Sequence, residues 1–173
     1  MADAGHHAGV PPRLGHVFQS YDPPLYFVTA NAWKRTPWLG SSEMHQAFCA
    51  YGRQNLDAGR AIGGYVMMPD HVHFFVRLSR EDRLSDFVRL LKQALTKAFR
   101  CSGGSASHSE SVHRANATPE RLWQPGFFDH LLRSTESYAE KWRYVRENPV
   151  RAGLARTVEE WPYQGEIARI DRA

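Results

Sequence analysis

"YVMMPDHVHFFVRL", residues Tyr65–Leu78, holds two apolar runs separated by Pro69-Asp70, with two histidines inside the second run. A Pro-Asp pair between such runs predicts a tight turn, so the stretch reads as a β-hairpin. Side chains alternate between the two faces of a strand. Val72, Phe74, Val76 and Leu78 therefore point one way, and His71, His73, Phe75 and Arg77 the other. The apolar set belongs beneath helices, which leaves the histidines on the opposite, open face. Two imidazoles two residues apart, about 7 Å along the strand, can converge on one cation. The same triplet also suits half-exposed histidines making ordinary hydrogen bonds, because His-x-His alone is a weak motif.

Working outward, Leu25–Ala30 after Pro23-Pro24 is an earlier strand, rich in β-branched and aromatic residues. Ser41 or Ser42 can cap a helix whose apolar stripe is Met44, Ala47, Phe48 and Tyr51, ended by Gly59. Ile62–Met68 is the first arm of the hairpin, weakened early by Gly63-Gly64. Ser85 caps a second helix with Phe87, Val88, Leu91, Leu95 and Phe99 on its buried side. Residues 102–118, rich in Ser, Gly and His, lack periodicity and read as a mobile loop. Pro125-Gly126 then bends the chain into a strand over Phe127–Leu132. Ser134 or Thr135 caps a third helix expected to run to Asn148, where Pro149 stops it.

Strand, helix, strand, strand, helix, strand is the split βαβ, ferredoxin-like order of the α+β class. It predicts an antiparallel sheet with two helices on one face. The additional C-terminal helix must lie near the free face or the sheet edge. Residues 1–20 are expected to be a flexible tail, 21–155 one domain, and 156–173 a second tail anchored around Trp161–Tyr163.

The bulk numbers exclude little. At 173 residues and 42% hydrophobic content the chain suits a single soluble domain, with no run long enough to span a membrane. Met1–Gly15 lacks the apolar core of a signal peptide. The two cysteines, Cys49 and Cys101, lack paired spacing, which points to a reducing cytosol. Lys plus Arg exceed Asp plus Glu by 22 to 18, for a net charge of +4. That excess is compatible with nucleic acid and does not establish it.

On the third helix Tyr138, Trp142 and Val145 fall within about 60° of one another and form the packing stripe. Tyr144 lies about 135° from its centre, and Asn148 follows one turn later on the same side. One reading is a surface tyrosine beside a helix-terminal asparagine. The other is a reaction centre. Two imidazoles and an amide oxygen could hold a divalent cation, which would polarise a phosphate. A phenol, with an ordinary pKa of about 10, is a weak nucleophile until deprotonated or placed beside a cation.

These motifs together resemble the HUH single-tyrosine transposases, and most closely the REP-associated tyrosine transposases. The resemblance runs from Leu25 to Leu154 and is anchored by "YVMMPDHVHFFVRL", "LSDFVRLLKQALTKAF", "LWQPGFFDHLLR" and "YVRENPVRAGL". It implies that residues 21–155 form a transposase-like catalytic domain. His71 and His73 would be metal ligands, Asn148 the third metal-contacting side chain and Tyr144 the catalytic nucleophile. It further implies a Mg²⁺- or Mn²⁺-dependent endonuclease and strand transferase acting on single-stranded DNA, often hairpin-forming repeats, through a 5′-phosphotyrosine. Imidazoles by themselves would equally suit zinc. Members act as monomers or as homodimers in which one subunit's tyrosine completes the other's site, and both arrangements stay open. A cytoplasmic, nucleoid-associated protein is expected.

For DNA contacts, Lys92 is the first choice because it matches a basic position recurrent in the family, followed by Arg89, Arg133 and Arg151. Lys97, Arg100, Arg143 and Arg146 are further cations on the same helices. His130, beside Asp129, reads as a proton relay, a base contact or a plain strand-end hydrogen bond. Trp123, Phe127 and Phe128 could stack on bases but are expected in the core. Two other functions remain: a hairpin-binding protein that no longer cuts, and a metal nuclease using activated water.

Overall fold

The computed structural model describes residues 23–103, 121–132 and 138–170. The chain runs β1 (Leu25–Asn31), α1 (Ser42–Gln54), β2 (Ala61–Met68), β3 (His71–Arg77) and α2 (Leu84–Cys101), then β4 (Phe128–Leu131), α3 (Tyr138–Arg146), α4 (Asn148–Arg151) and β5 (Gln164–Glu166). All pairings are antiparallel, in the order β4-β1-β3-β2-β5. β3 fills the gap between β1 and β2, which is the split βαβ arrangement expected. Residues 1–20, most of the 102–118 segment, and the expected caps Ser134 and Thr135 lie outside the described residues.

The alternation in β3 decides which side is which. Val72, Phe74 and Val76 are fully buried and pack with Phe48 of α1 and Leu91 and Leu95 of α2. Phe75 faces the other way, yet it too is 0% exposed, because Tyr138 of α3 packs a tilted ring on it at 4.4 Å between ring centroids. Leu25, Leu132 and Ile170 complete this second cluster, and Val66, Met68 and Val145 form a third beside it. The supposedly free face is thus covered in large part by α3 and the C-terminal segment. What stays open is the end of the sheet that carries the histidines.

Gly63-Gly64 explains how α3 reaches the sheet. A Cβ on Gly64 would lie 2.9 Å from the Trp142 ring, and one on Gly63 would lie 2.5 Å from Ile170 Cδ1. The Gly64 N–H donates to the Tyr138 hydroxyl at 2.9 Å, and the β2–β3 register shifts between Ile62 and Tyr65. The glycines are a seat for an aromatic helix rather than a weakness in a strand.

Several expected boundaries change. Ser41 does cap α1, accepting from Met44 N–H at 3.3 Å, but α1 ends at Gln54 and Gly59 instead closes a following 3-10 turn at φ +72°. α2 begins at Leu84 with Arg83 at the cap position, so Ser85 sits inside the first turn. Pro149 does not stop a helix. α3 has already ended at Arg146, and Pro149 is buried in the first turn of α4, where a missing N–H costs nothing. The segment after residue 156 is no mere appendage: Trp161 Nε1 donates to Met67 O at 3.0 Å and β5 pairs with β2. Among the described residues no helix is long and apolar enough to cross a membrane.

Candidate active site

His71 and His73 leave β3 side by side, with their Nε2 atoms 3.0 Å apart. The other nitrogen of each ring is held. His71 Nδ1 lies 2.6 Å from Asp70 Oδ1, and His73 Nδ1 lies 2.8 Å from the hydroxyl of Thr29, its direct partner across the β1–β3 ladder. Asp70 Oδ2 takes Arg35 Nε at 2.6 Å, and Arg35 also donates to Asn31 Oδ1 at 2.7 Å. Arg35 reaches both because Lys34 and Arg35 adopt left-handed backbone, at φ 50° and 59°, a region that residues with a Cβ populate sparsely. Phe27 stacks on the His73 ring at 5.6 Å and closes its third side.

Burial holds the His73 pKa down to about 3, and nearby His71 and Arg35 add to the effect. Burial also lowers His71, against the opposing pull of Asp70. Both rings are therefore uncharged near neutral pH, the form in which imidazole ligates metal. Two converging Nε2 atoms with both Nδ1 atoms tied by oxygen partners is the arrangement of ligating histidines and their supports. Among the described residues no third His, Cys, Asp or Glu joins them. An amide does share the space: Asn148 lines the same cleft as His73.

That cleft, of about 380 Å³, brings three parts of the chain together. β1 and β3 give Thr29 and His73, β4 gives Phe128 and His130, and the helices give Lys141, Tyr144 and Asn148. Tyr138 and Val145 of α3 are buried on the sheet, so Tyr144, on another side of the helix, projects outward at 62% exposure. The Arg151 guanidinium lies 4.0 Å from the Tyr144 ring centroid and pairs with Glu147 at 2.5 Å. Asn148 accepts from Arg151 Nη1 at 3.4 Å. Because α4 starts anew at Asn148, that amide is set by the junction between two helices rather than by the end of one.

The expected DNA-binding residues divide. His130 faces the cleft, and Arg151 lies over the tyrosine. Lys92 and Arg89 line a different groove, of about 780 Å³, between α2 and residues 123–127. Lys92 Nζ donates to the carbonyls of Gln124 and Gly126, at 3.0 and 2.5 Å, and burial lowers its pKa to about 8. Arg89 pairs with Asp86 at 3.4 Å. Arg133 lies outside the described residues.

Phe128 corrects the sequence reading outright. Expected in the core, it is 67% exposed on the cleft wall, in the cross-strand row with Thr29 and His73. Trp123 and Phe127 do pack against the core, Trp123 donating to Thr96 Oγ1 at 3.1 Å. Sequence reasoning also passed over Thr29, Asp70 and Arg35. Asp70, next to His71, carried a visible signal, whereas Thr29 lies 44 residues from His73 and needed the strand register.

Comparison with known proteins shows the family. The sequence profile described as "Transposase IS200 like" matches residues 34–148. A REP-associated tyrosine transposase of Escherichia coli (strain K12) is 25% identical over 139 residues, which cover 80% of this chain and 73% of that protein. A putative REP-associated tyrosine transposase of Haemophilus influenzae is 26% identical over 98 residues, covering 56% of this chain and 53% of the relative. A solved structure of a REP-associated tyrosine transposase bound to a REP hairpin superposes with a TM-score of 0.62 at 25% identity, over 82% of this chain and 76% of that one. The ferredoxin-like sheet, the paired histidines and the matched span of residues 34–148 together assign the chain to the IS200-like transposase family, with its resemblance directed to the REP-associated tyrosine members.

Proposed function

We propose that the chain nicks and rejoins single-stranded DNA, with Tyr144 as nucleophile and hairpin-forming repeats as substrate. The observation that carries this reading is the common cleft that His73 shares with Tyr144 and Asn148, which lie far from it in the sequence. Family membership supports the transposase class, and a relative of 25% identity was solved on a REP hairpin.

A divalent cation, Mg²⁺ or Mn²⁺, would be held by Nε2 of His71 and His73 and the Asn148 amide oxygen. It would supply charge to a bound phosphate and its leaving oxygen. The chain's own residues do the rest. The Tyr144 oxygen forms a bond to phosphorus, the bond to the 3′-oxygen breaks, the phenolic proton passes to solvent and solvent returns one to the departing 3′-oxygen. A 5′-phosphotyrosine and a free 3′-hydroxyl result. The ester keeps the bond energy, so rejoining needs no nucleotide cofactor. Lys141 on the cleft wall balances phosphate charge, and the exposed Phe128 ring gives an unpaired base a surface to stack on. One chain contributes both histidine and tyrosine to the cleft, which supports attack within a subunit.

The test is a labelled hairpin with a single-stranded tail, incubated with the protein and Mn²⁺ and resolved on a denaturing gel. A covalent adduct is expected with the wild type and none with Tyr144→Phe or in excess EDTA. Strand cleavage that persists in Tyr144→Phe would instead show activated water as nucleophile. Mixing Tyr144→Phe with His73→Ala protein should restore no adduct; recovery would place the tyrosine in a partner's site.

A further inference from the structure

Residues 32–39 lead from the end of β1 toward α1 and clamp the Pro69-Asp70 turn at two points. Ala32 N–H donates to Asp70 O and Leu39 N–H to Pro69 O, each at 2.8 Å. Between those bonds stand two strained residues in succession, Lys34 and Arg35, at φ 50° and 59°. Glycine would adopt this backbone freely, whereas a Cβ crowds it. The Arg35–Asp70 pair does not offset that strain. Its side chains are 54% and 22% exposed, and ion pairs so open add little to folding. What the strain secures is the direction of one guanidinium. Nε donates to Asp70 Oδ2 at 2.6 Å and Nη1 to Asn31 Oδ1 at 2.7 Å. A guanidinium has five N–H groups, so three are left without a partner among the described residues.

That guanidinium stands at the end of the sheet. β1 ends at Asn31 and β3 begins at His71, its cross-strand partner, two residues or roughly 7 Å beyond the Thr29–His73 row. Thr29 and His73 line the cleft with Tyr144, and Asn31 and His71 do not. One carboxylate, Asp70, touches both His71 Nδ1 and Arg35. We propose that Arg35 is a phosphate-binding residue that holds the phosphodiester next to the one cut, beyond the histidine pair from the cleft. The inference rests on the reading that DNA is cut at this end of the sheet. A planar guanidinium meets two phosphate oxygens with parallel N–H···O bonds. Asp70 and Asn31 fix its plane before the strand arrives, so little side-chain freedom is lost on binding. Together with Lys141 on the cleft wall, Arg35 grips the strand on both sides of the histidines and fixes the reacting phosphorus relative to the Tyr144 oxygen.

Binding of a labelled hairpin with a single-stranded tail, followed by fluorescence anisotropy in EDTA over a series of salt concentrations, tests this without a metal. Arg35→Met should weaken binding by about tenfold or more and lower the slope of log affinity against log salt by about one. Arg35→Lys should keep the slope and recover only part of the affinity, since an ammonium presents no parallel pair of N–H groups. Replacing the phosphates around the cut by methylphosphonates, one at a time, locates the contact. Wild-type affinity should drop at a linkage next to the cut, and Arg35→Met should show no further drop at that linkage alone. Arg35→Gln, which keeps a donor for Asp70, is the second variant and should behave as Arg35→Met; thermal melting shows that each is folded. A folded neutral variant with the wild-type slope and unaltered sensitivity at every linkage overturns the proposal, and Arg35 is then a support for Asp70 alone. If Lys141→Met lowers the slope in that case, the reading of the cleft stands. If it does not, the strand is not gripped at this end of the sheet and both readings fall.

Discussion

One face of the sheet is an apolar layer and the other turns polar at its open end, and β3 carries both in alternate residues. Val72, Phe74 and Val76 sit under α1 and α2 in an apolar layer, whereas His71 and His73 stand in a hydrogen-bonded line with Thr29 and Asp70. A close-packed apolar face tolerates no gap, because each methylene removed costs transfer free energy and leaves a cavity. The polar face depends instead on a few atoms being held in place. Stability should therefore concentrate on the buried apolar layers and chemistry on the open end of the sheet that carries the histidines, and adjacent residues of one strand should report on each separately.

Neighbouring substitutions in β3 give the largest contrast. Phe74→Ala, at a fully buried position, should cost about 3–5 kcal/mol, a large share of a domain's total stability. His73→Ala should abolish adduct formation while its thermal midpoint stays within a few degrees of wild type. Adduct formation at the wild-type rate by His73→Ala would break the division of labour. Gly64→Ala tests the junction between the faces. Its Cβ would meet Trp142 at 2.9 Å, so α3 must shift and carry Tyr144 with it. Cleavage should fall by at least about tenfold, since small misplacements of reacting groups are costly. A larger proportional loss in rate than in folded fraction is the expected signature.

Phe128→Ala sharpens the same contrast at smaller scale. An apolar ring at 67% exposure contributes little to folding, so melting should move by the equivalent of about 0.5 kcal/mol or less. Binding of a single-stranded tail should weaken by about 1–3 kcal/mol, the usual worth of a base–aromatic stack. A stability loss comparable to that of Phe74→Ala would mean that Phe128 is a packing residue after all.

How far these features were legible depended on their range. Strand alternation is set by local geometry, so the assignment of Val72, Phe74 and Val76 to one face and His71, His73 and Phe75 to the other followed from spacing alone. The Tyr138, Trp142 and Val145 stripe was likewise visible, and Tyr138 and Val145 are buried on the sheet. Registers were not visible. Thr29 faces His73 only because β1 pairs with β3 in one particular alignment, and a shift by one residue would have turned it away. Phe128 carries the same composition signal as a core aromatic; its exposure follows from β4 being an edge strand. The three-residue β5 is too short to show a period, and Gly63-Gly64 means something only once Trp142 and Ile170 are known to lie above it.

Lys92 gives the smallest expected effect and separates packing from DNA binding most finely. Its match to a basic position recurrent in the family suggested a phosphate contact, and its ammonium group donates to two carbonyls and lies 5.3 Å from the Trp123 ring centroid. Those bonds fasten residues 123–126 to α2. Removing a cation that neutralises one phosphate lowers the slope of log affinity against log salt by about one. Lys92→Met should leave that slope unchanged and lower the thermal midpoint by an amount equivalent to about 1–2 kcal/mol. Lys141→Met, on the cleft wall beside the Phe27 ring, should lower the slope by about one. If the two substitutions exchange these outcomes, the DNA lies across α2 and the sheet end with the histidines is not where the strand is gripped.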